Sequence, residues 1–559
     1  MRIRVVAAGL AAGLGFGALW AGPAQAGESL PLDTLAALPA SSSYRSNDYD
    51  NWNWGGETRT YTFADEQDRL GVLTVDTKAS KLRIATFDSE SFQRVGDRVV
   101  GFGGYPQWGG FFAAPDGFYY VVVGKANRGE SGSENVVAVR RYSQNWKLSG
   151  QALVRGGVSQ GLVPGIADPF IGGTARMAMC GNTLVVHMAR LMFRGSGGIN
   201  HQGNLTLSVN TSTMKARPFD DAYGLLDIYA SHSFNQFAGC VEDRLTLLDH
   251  GDAYPRSLVA WSAAGFPPGS NPEEEGTLKS RSQRSDLWVF PGRDGENWTG
   301  TRVTGFGMGA GTARAVVVGE SVAHERAVSG MTGENTPRNV FLITADADLS
   351  EHRFTWLSNY TRPGVKVTEP RMARVSPEQF VVLFGVRASG KDRLEYRLVD
   401  STGRMLASES WKNVRYEPAC DPVFIKGSLL WVQRGARGVT GKARYVIGLN
   451  VEIPRLPKPL VGGIPSLKTK KLTVTARRGY WLLLPIRTGG SASTEPSSVM
   501  WRTSRPRVAT VVRGQTKGRI ALRGKRTSTL WVAALKRGTT KLTLTTRLKA
   551  KLIITIKVK

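Results

Sequence analysis

The chain has 559 residues, a formal net charge of +28 and three cysteines. This length exceeds what one ordinary hydrophobic core holds, so we expect two domains, one of which could be a radially repeated unit. After residue 26 no apolar run reaches the roughly 18 residues of a membrane-spanning helix, so no transmembrane segment is predicted in the mature chain.

The N-terminus has the features of a secretory signal peptide. Arg2 and Arg4 precede an apolar run over residues 5–20, and Ala24-Gln25-Ala26 supplies the small residues that a signal peptidase needs. We therefore predict a signal peptide over residues 1–26 and a mature chain that is secreted or associated with the cell surface.

Residues 27–453 are predicted to form an all-β domain. Short runs rich in Val, Leu, Tyr and Thr alternate with Gly, Asp, Asn, Ser and Pro, as strands joined by tight turns require. Comparable units recur at intervals of about 50 residues, which suits four-stranded blades. The sequence favours a six- or seven-bladed β-propeller, and a pair of β-sandwiches is the alternative.

Two neighbouring polar segments of this domain concentrate chemistry-bearing side chains. They are SHSFNQF at residues 231–237 and LDHGDAYPR at residues 248–256. The candidate ligand-binding residues in them are His232, Asn235, Gln236, Asp249, His250, Asp252 and Arg256.

These residues support two interpretations. Paired acids beside His and Arg could form a general acid/base set or a cation site with oxygen ligands. Alternatively, Asp and His bond turn amides while Arg256 pairs with an acid, which is a structural role. The spacing matches neither an oxygen-ligand calcium loop nor HExxH, so no metal or cofactor is predicted. If the preceding blade is a neighbour, His187 and His201 with Arg190 and Arg194 could complete the same polar cluster.

The same two segments resemble sequence segments of large secreted bacterial cell-surface proteins with propeller-like domains. The resemblance implies exposure on a cell surface and no particular activity.

The odd cysteine count implies at least one free thiol or an intermolecular bond. Cys180 and Cys240 occupy matching places in two successive repeat units. They are therefore a candidate disulfide, and two small buried residues is the competing interpretation. Cys420 is the cysteine left over.

The C-terminal part begins with a proline-rich linker, residues 454–468, and continues as a basic β-domain over residues 469–559. The stretches MWRTSRPRVATVV and LKRGTTKLTLTTR resemble the bacterial immunoglobulin-like group 2 domain. The residues that match its motif are Trp501, Ser504, Pro506, Val508, Ala509, Val511, Gly538, Thr539 and Thr543. This copy departs from the family in being strongly basic and in its loosely similar middle segment, residues 517–526. The resemblance implies an immunoglobulin-like β-sandwich that serves in display or attachment.

Charge is distributed unevenly between the two parts. Residues 455–559 contain 25 Lys and Arg but one acid, Glu495. Such a field attracts polyanions and is screened by salt, although a solvated basic surface alone is the simpler interpretation.

The sequence thus favours an exported, non-enzymatic binding or adhesion protein, with a ligand-binding propeller face and a basic module that attaches to anionic envelope polymer or carbohydrate. The alternative is an extracellular polysaccharide hydrolase or lyase with its site in the propeller channel. Nucleic-acid binding is supported only by charge.

Overall fold

The structure is a computed structural model. It describes residues 58–558 except 90–93, 159–163, 172, 224–227, 254–255, 268–277, 279, 296–298, 324–336, 368–369, 413–419, 426–427, 433–441, 445–450, 453–469, 477–480, 488–497, 511–516, 522–526, 535 and 547–550. The predicted signal peptide and the predicted linker lie outside the described residues.

Internal contacts divide the chain into two compact units, one that ends at Ala443 and one that contains Arg444–Lys559. Both are built mainly from β-strands, and the described residues of the first unit also include a short helix, α1 (Phe219–Tyr223). The prediction of an all-β protein is confirmed.

The described residues of the first unit form seven sheets, and the paired strands of the first six all run antiparallel. The first sheet contains β1 (Thr60–Ala64), β2 (Leu70–Asp76), β3 (Lys81–Phe87) and β4 (Arg94–Gly101). The second contains β5 (Gln107–Ala113), β6 (Tyr119–Gly124), β7 (Asn135–Tyr142) and β8 (Leu148–Arg155). The third contains β9 (Asp168–Pro169), β10 (Arg176–Cys180), β11 (Thr183–Arg194), β12 (Asn200–Asn210) and β13 (Lys215–Pro218).

The remaining four sheets continue in chain order. The fourth contains β14 (Ser233–Val241), β15 (Arg244–Gly251), β16 (Ser257–Ala263) and β17 (Ser282–Val289). The fifth contains β18 (Thr301–Met308), β19 (Ala315–Val322), β20 (Arg338–Ala345) and β21 (His352–Trp356). The sixth contains β22 (Lys366–Val367), β23 (Arg371–Ser376), β24 (Gln379–Ala388), β25 (Lys391–Asp400) and β26 (Met405–Lys412). The seventh contains β27 (Val423–Ile425), β28 (Ser428–Leu430) and β29 (Lys442–Arg444).

The second strands of the first two sheets and of the fourth and fifth are almost wholly buried, whereas their last strands are largely exposed. All eight residues of β19, AVVVGESV, are buried, and β-branched side chains of this kind pack well on a pleated surface covered on both faces. By contrast, most residues of β4 are exposed. Each of these sheets therefore has a covered interior and a solvated outer edge.

The core lies between consecutive sheets. Separate hydrophobic clusters join the first sheet to the second, the second to the third, the third to the fourth, the fourth to the fifth and the fifth to the sixth. A further cluster joins the seventh sheet to the first, where Ile425 and Leu430 pack with Leu70 and Phe87. The leading strands also contact one another in the order β1, β5, β10, β14, β18, β23, β27, and β27 contacts β1.

The second unit contains two further sheets within the described residues. One consists of β30 (Val451–Glu452), β32 (Trp481–Arg487), β36 (Thr527–Ala534) and β34 (Ala509–Thr510). The other consists of β31 (Lys470–Ala476), β38 (Lys551–Val558), β37 (Gly538–Thr546), β33 (Ser498–Thr503) and β35 (Lys517–Ala521). In this five-stranded sheet β31 pairs with β38 in parallel, and the other strand pairs are antiparallel.

Candidate functional site

Strand pairing in the fourth sheet brings the two polar segments together. The start of β14 lies against the end of β15, so that Asn235 faces His250 and Gln236 faces Asp249. A β-bulge between Ser233 and Asn235 shifts the register at this point and turns successive side chains in different directions.

Asp249 is the centre of a buried hydrogen-bonded cluster. Its Oδ2 atom lies 3.0 Å from His187 Nε2 and accepts from Asn204 Nδ2 at 2.9 Å, while its Oδ1 accepts from Ser233 Oγ at 2.6 Å. His187 Nδ1 in turn lies 2.9 Å from Thr206 Oγ1. We call these residues, His187, Asn204, Thr206, Ser233 and Asp249, the Asp249 cluster. The two ring nitrogens of His187 thus face a carboxylate oxygen on one side and a hydroxyl oxygen on the other.

The Asp249 cluster joins two sheets. His187 and Thr206 belong to β11 and β12 of the third sheet, and Asp249 belongs to β15 of the fourth. Asn204 also donates to Ile228 O at 2.6 Å and accepts from the Ala230 amide at 3.1 Å, so it holds the connection between the two sheets. A buried network of this kind stabilises one arrangement because each of its members needs the others as partners.

Asn235 makes an equivalent connection on the other side of the fourth sheet. Its Nδ2 donates to Val303 O of β18 at 2.7 Å, and its side chain is buried. Gln236 is fully buried and donates to Ser233 Oγ at 2.9 Å, which adds it to the edge of the Asp249 cluster. Both residues therefore serve contacts within the fold.

His250 is sealed from solvent. Its Nε2 lies 3.0 Å from Thr299 Oγ1, and its ring packs against Phe290 with centroids 5.1 Å apart. Burial, assisted by the positive charge of Arg256, lowers the pKa of His250 from its ordinary value near 6.5 to about 3. The imidazole is therefore neutral at physiological pH and is too weak a base for general base catalysis there.

His232 is the one candidate that reaches solvent. It adopts a left-handed backbone conformation with φ of 50°, and its side chain is 30% exposed. Its Nδ1 lies 3.1 Å from Oδ1 of Asp252, whose own side chain is fully buried. Within the described part of the chain, Oδ2 of Asp252 has no hydrogen-bond partner.

Arg256 donates hydrogen bonds to two backbone carbonyls. Its Nε reaches Pro291 O at 2.9 Å and its Nη1 reaches Asp252 O at 3.2 Å. These bonds hold the turn after β15 against the end of β17, and the side chain is buried.

The structure thus gives most of the predicted ligand-binding residues a role inside the fold. The six that are buried are Asn235, Gln236, Asp249, His250, Asp252 and Arg256. The physical reason is that the ends of the third, fourth and fifth sheets meet here, so polar side chains satisfy neighbouring backbone groups instead of facing water.

The four residues predicted to complete the polar cluster are His187, His201, Arg190 and Arg194, and they differ in burial. His187 joins it, whereas His201 is exposed and Arg194 lies at the surface, 3.7 Å from Glu130. Arg190 is fully buried and donates to Gly165 O at 2.9 Å, and burial lowers its pKa to about 10.

Cys180 and Cys240 form a disulfide with their Cα atoms 5.6 Å apart, and Cys420 is a buried free thiol. The bond links the end of β10 to the end of β14, whereas Ser233 of the Asp249 cluster stands at the start of β14. The third and fourth sheets are therefore joined at both ends of the same strand.

Two functional groups of the Asp249 cluster were not expected from the sequence. Asn204 and Thr206 form an Asn-Leu-Thr sequon, which is typical of an exposed loop, yet both side chains are fully buried. Their position in the middle of the apolar strand β12, GNLTLSV, is the signal that points to burial.

Among the described residues, no three His, Cys, Asp or Glu side chains converge as metal ligands. No helix in the same part of the chain has the length and apolarity needed to span a membrane.

Comparison with known proteins gives only distant structural likenesses. No family model and no curated protein matches the chain. A mutant of the Synechocystis apocarotenoid oxygenase is 12% identical, covers 63% of this chain and 71% of its own, and has a TM-score of 0.35. The cobalt-substituted Synechocystis enzyme is 11% identical over the same shares, also with a TM-score of 0.35. A DUF4221 family member from Bacteroides vulgatus is 9% identical and has a TM-score of 0.34 over 69% of this chain and 92% of its own. These TM-scores are too low to carry an argument about function.

Proposed function

We propose that this chain is an exported, non-enzymatic binding protein of the cell surface. In this proposal the first unit is a seven-bladed β-propeller that presents loops to a ligand. The second unit is an immunoglobulin-like module that attaches the protein to an anionic polymer of the envelope. The observation that carries the proposal is the contrast between a sealed polar cluster in the first unit and exposed cations among the described residues of the second.

The propeller is supported by the order of contacts in the first unit. Sheets of three to five strands follow one another along the chain, and hydrophobic clusters lie between neighbouring sheets. The contact between β27 and β1 relates the last of these sheets to the first. Radial repetition of antiparallel sheets produces this pattern.

The non-enzymatic role is supported by the state of the acid and base groups. Asp249 is saturated with hydrogen bonds, and His250 is neutral and buried. A catalytic acid or base has to come within hydrogen-bond reach of a substrate atom, which neither residue can do in this structure.

The attachment role is supported by the second unit. Trp501, Val508 and Ala509 of the family motif are buried, as core residues of such a module would be. Lysines and arginines on the same strands and turns are exposed. Glu495 is the only acid after Glu452 in the sequence.

The proposal predicts that a chain lacking residues 455–559 loses salt-sensitive retention on anionic cell envelopes. Retention would be measured by pull-down of purified protein with isolated envelopes over a series of NaCl concentrations. Since screening weakens contacts between exposed charges, binding of the full chain should fall steeply with salt. Equal retention of both chains would contradict the proposal.

The hydrolase or lyase alternative depends on one observation, the solvent-facing His232 beside the partly unpaired carboxylate of Asp252. Turnover in a screen of envelope and plant glycans that is lost in His232→Gln would favour this alternative over a binding protein.

A further inference from the structure

The five-stranded sheet of the second unit has two chemically different faces. Side chains that alternate along its strands are buried on one side, among them Trp501, Leu542, Leu544, Ile554 and Ile556. The intervening side chains, which point the other way, include the exposed cations Arg502, Lys517, Lys541 and Lys557. We call these four residues the basic face.

The register of the strands arranges the basic face as a diagonal line. Arg502 of β33 lies directly opposite Lys517 of β35 and, on its other side, opposite Thr543 of β37. Lys541 lies two residues from Thr543 and is therefore the diagonal neighbour of Arg502. Lys557 pairs with Thr539 and is the diagonal neighbour of Lys541 in the same way.

The length of this line follows from sheet geometry. Neighbouring strands are about 4.8 Å apart and residues advance by about 3.4 Å along a strand, so four cations on adjacent strands span roughly 20 Å. Successive members are separated by about 5–8 Å. The line is thus long enough to contact several charges of a linear polymer at once.

This arrangement is unfavourable for the isolated sheet. Like charges directly opposite each other on paired strands destabilise the pairing, and Arg502 and Lys517 are such a pair. No Asp or Glu occurs in the five strands of this sheet, so neutralisation has to come from elsewhere. An external polyanion along the line would supply it.

Hydroxyl donors lie beside the cations. Thr543 and Thr555 are half-buried, and Thr473 and Thr539 are exposed. Thr543 pairs with Arg502, Thr555 with Lys541 and Thr539 with Lys557. Thr473 pairs with Thr555 on its other side. Ammonium, guanidinium and hydroxyl groups all donate to phosphate oxygens. The aromatic residue of β33, Trp501, is buried on the opposite face, so it offers no platform on which nucleic-acid bases could stack.

We propose that the basic face binds a linear phosphodiester polymer of the cell envelope, such as a polyol phosphate, along its backbone. This inference deepens the proposed attachment function and rests on it for the identity of the envelope partner.

The test uses the full mature chain and synthetic poly(glycerol phosphate) as the probe. In one variant Arg502, Lys517, Lys541 and Lys557 are all changed to Gln. The matched control changes Lys78, Lys147, Lys215 and Lys391 to Gln, which removes the same charge from exposed positions of the first unit. Affinities would be measured by titration at several NaCl concentrations.

The basic-face variant should bind at least about tenfold more weakly at low salt, and the slope of log K against log salt should become shallower by about 3, since four contacts each contribute about 0.7. The control should bind like the natural chain. Equal weakening of both variants would overturn the proposal, because net charge alone would then explain binding.

Two further arms separate the remaining explanations. Duplex DNA or polygalacturonate bound as tightly as the probe would overturn the assignment to a phosphodiester polymer of the envelope. The unfolding temperature of the basic-face variant should equal or exceed that of the natural chain, since a repulsive pair has been removed. The probe should raise the unfolding temperature of the natural chain and of the control more than that of the basic-face variant. The basic-face variant could lose binding to the probe while its retention on isolated envelopes stays unchanged. That result would confirm the basic face as a polyanion site and would contradict the proposed attachment function.

Discussion

Asp249 shows how one buried carboxylate can organise the ends of two sheets. It accepts from Asn204 and Ser233 and pairs with His187, and each of these side chains is fully buried. The residue stabilises the fold chiefly because its removal would leave these donors without an acceptor in a region that water does not reach.

We predict that Asp249→Ala lowers the free energy of unfolding by about 3–5 kcal/mol, since buried donors would remain unsatisfied. Urea denaturation monitored by circular dichroism measures the change. The matched control, Asp243→Ala, removes an exposed carboxylate from the preceding turn and should change stability by less than about 0.5 kcal/mol. Equal effects of the two substitutions would show that the cluster does not stabilise the fold.

His250 makes stability depend on pH. Its folded-state pKa of about 3 lies below the ordinary value of 6.5, so the unfolded chain binds the proton more readily. The stability that the neutral His250 contributes is therefore fully present above pH 6.5. It is lost as the pH falls from 6.5 to about 3, by up to about 1.4 kcal/mol per pH unit.

The stability advantage of the natural chain over His250→Gln should accordingly shrink by about 2 kcal/mol between pH 7 and pH 5. Chemical denaturation at both pH values measures it. His201→Gln, at an exposed histidine, serves as the control and should show no such change. A difference between the natural chain and His250→Gln that stays constant over this range would contradict the assigned burial effect.

At the scale of elements, the leading strand of the fourth sheet is tied to its neighbours at three points. β14 is joined to the third sheet near its start through Ser233 and near its end through the disulfide from Cys240 to Cys180. Asn235 joins it to β18 on the other side. It therefore connects three sheets.

Loss of the disulfide should cost about 4 kcal/mol in the chain-entropy treatment, because the bond closes a loop of 60 residues. The double variant Cys180→Ala/Cys240→Ala is compared with Cys420→Ala, which removes the buried free thiol and should cost about 1 kcal/mol. Thermal or urea unfolding measures both. Titration of the denatured natural chain should find one thiol before reduction and three after it. Three thiols before reduction would rule out the bond.

The strands themselves were predictable from the sequence. Runs such as YYVVVG and AVVVGESV combine β-branched residues with flanking turn residues, and local preference decides their structure. The burial of His250 and Asn204 was not predictable, because it depends on which neighbouring sheet covers a strand end. That information is spread over distant residues, since His250 contacts Thr299, 49 positions away, and Asn204 contacts Asp249, 45 positions away.

The basic face lies between these two cases. Alternation of Lys and Thr with Leu and Ile in TTKLTLTT and KLIITIKV indicates one polar and one apolar face. The pairing of Arg502 with Lys517, which makes the face repulsive, depends on a strand register that the sequence does not specify.

At the scale of the whole molecule, the two units differ in how they use charge. In the first unit Asp249 and Arg256 form hydrogen bonds within the fold. The numbers of basic and acidic residues before residue 455 are nearly equal. In the second unit exposed cations greatly outnumber the acids, since residues 455–559 contain 25 Lys and Arg and one Glu. A protein built this way keeps its charge-dependent behaviour in one part, so salt should affect association far more than folding.

The buried position of Asn204 has a practical consequence for producing the protein. Its amide nitrogen donates to Ile228 O and to Asp249, inside an Asn-Leu-Thr sequon. A eukaryotic secretory host attaches a bulky oligosaccharide to such asparagines while the nascent polypeptide is still unfolded. A sugar at this nitrogen would leave no room for the third and fourth sheets to close, so bacterial expression is the suitable route.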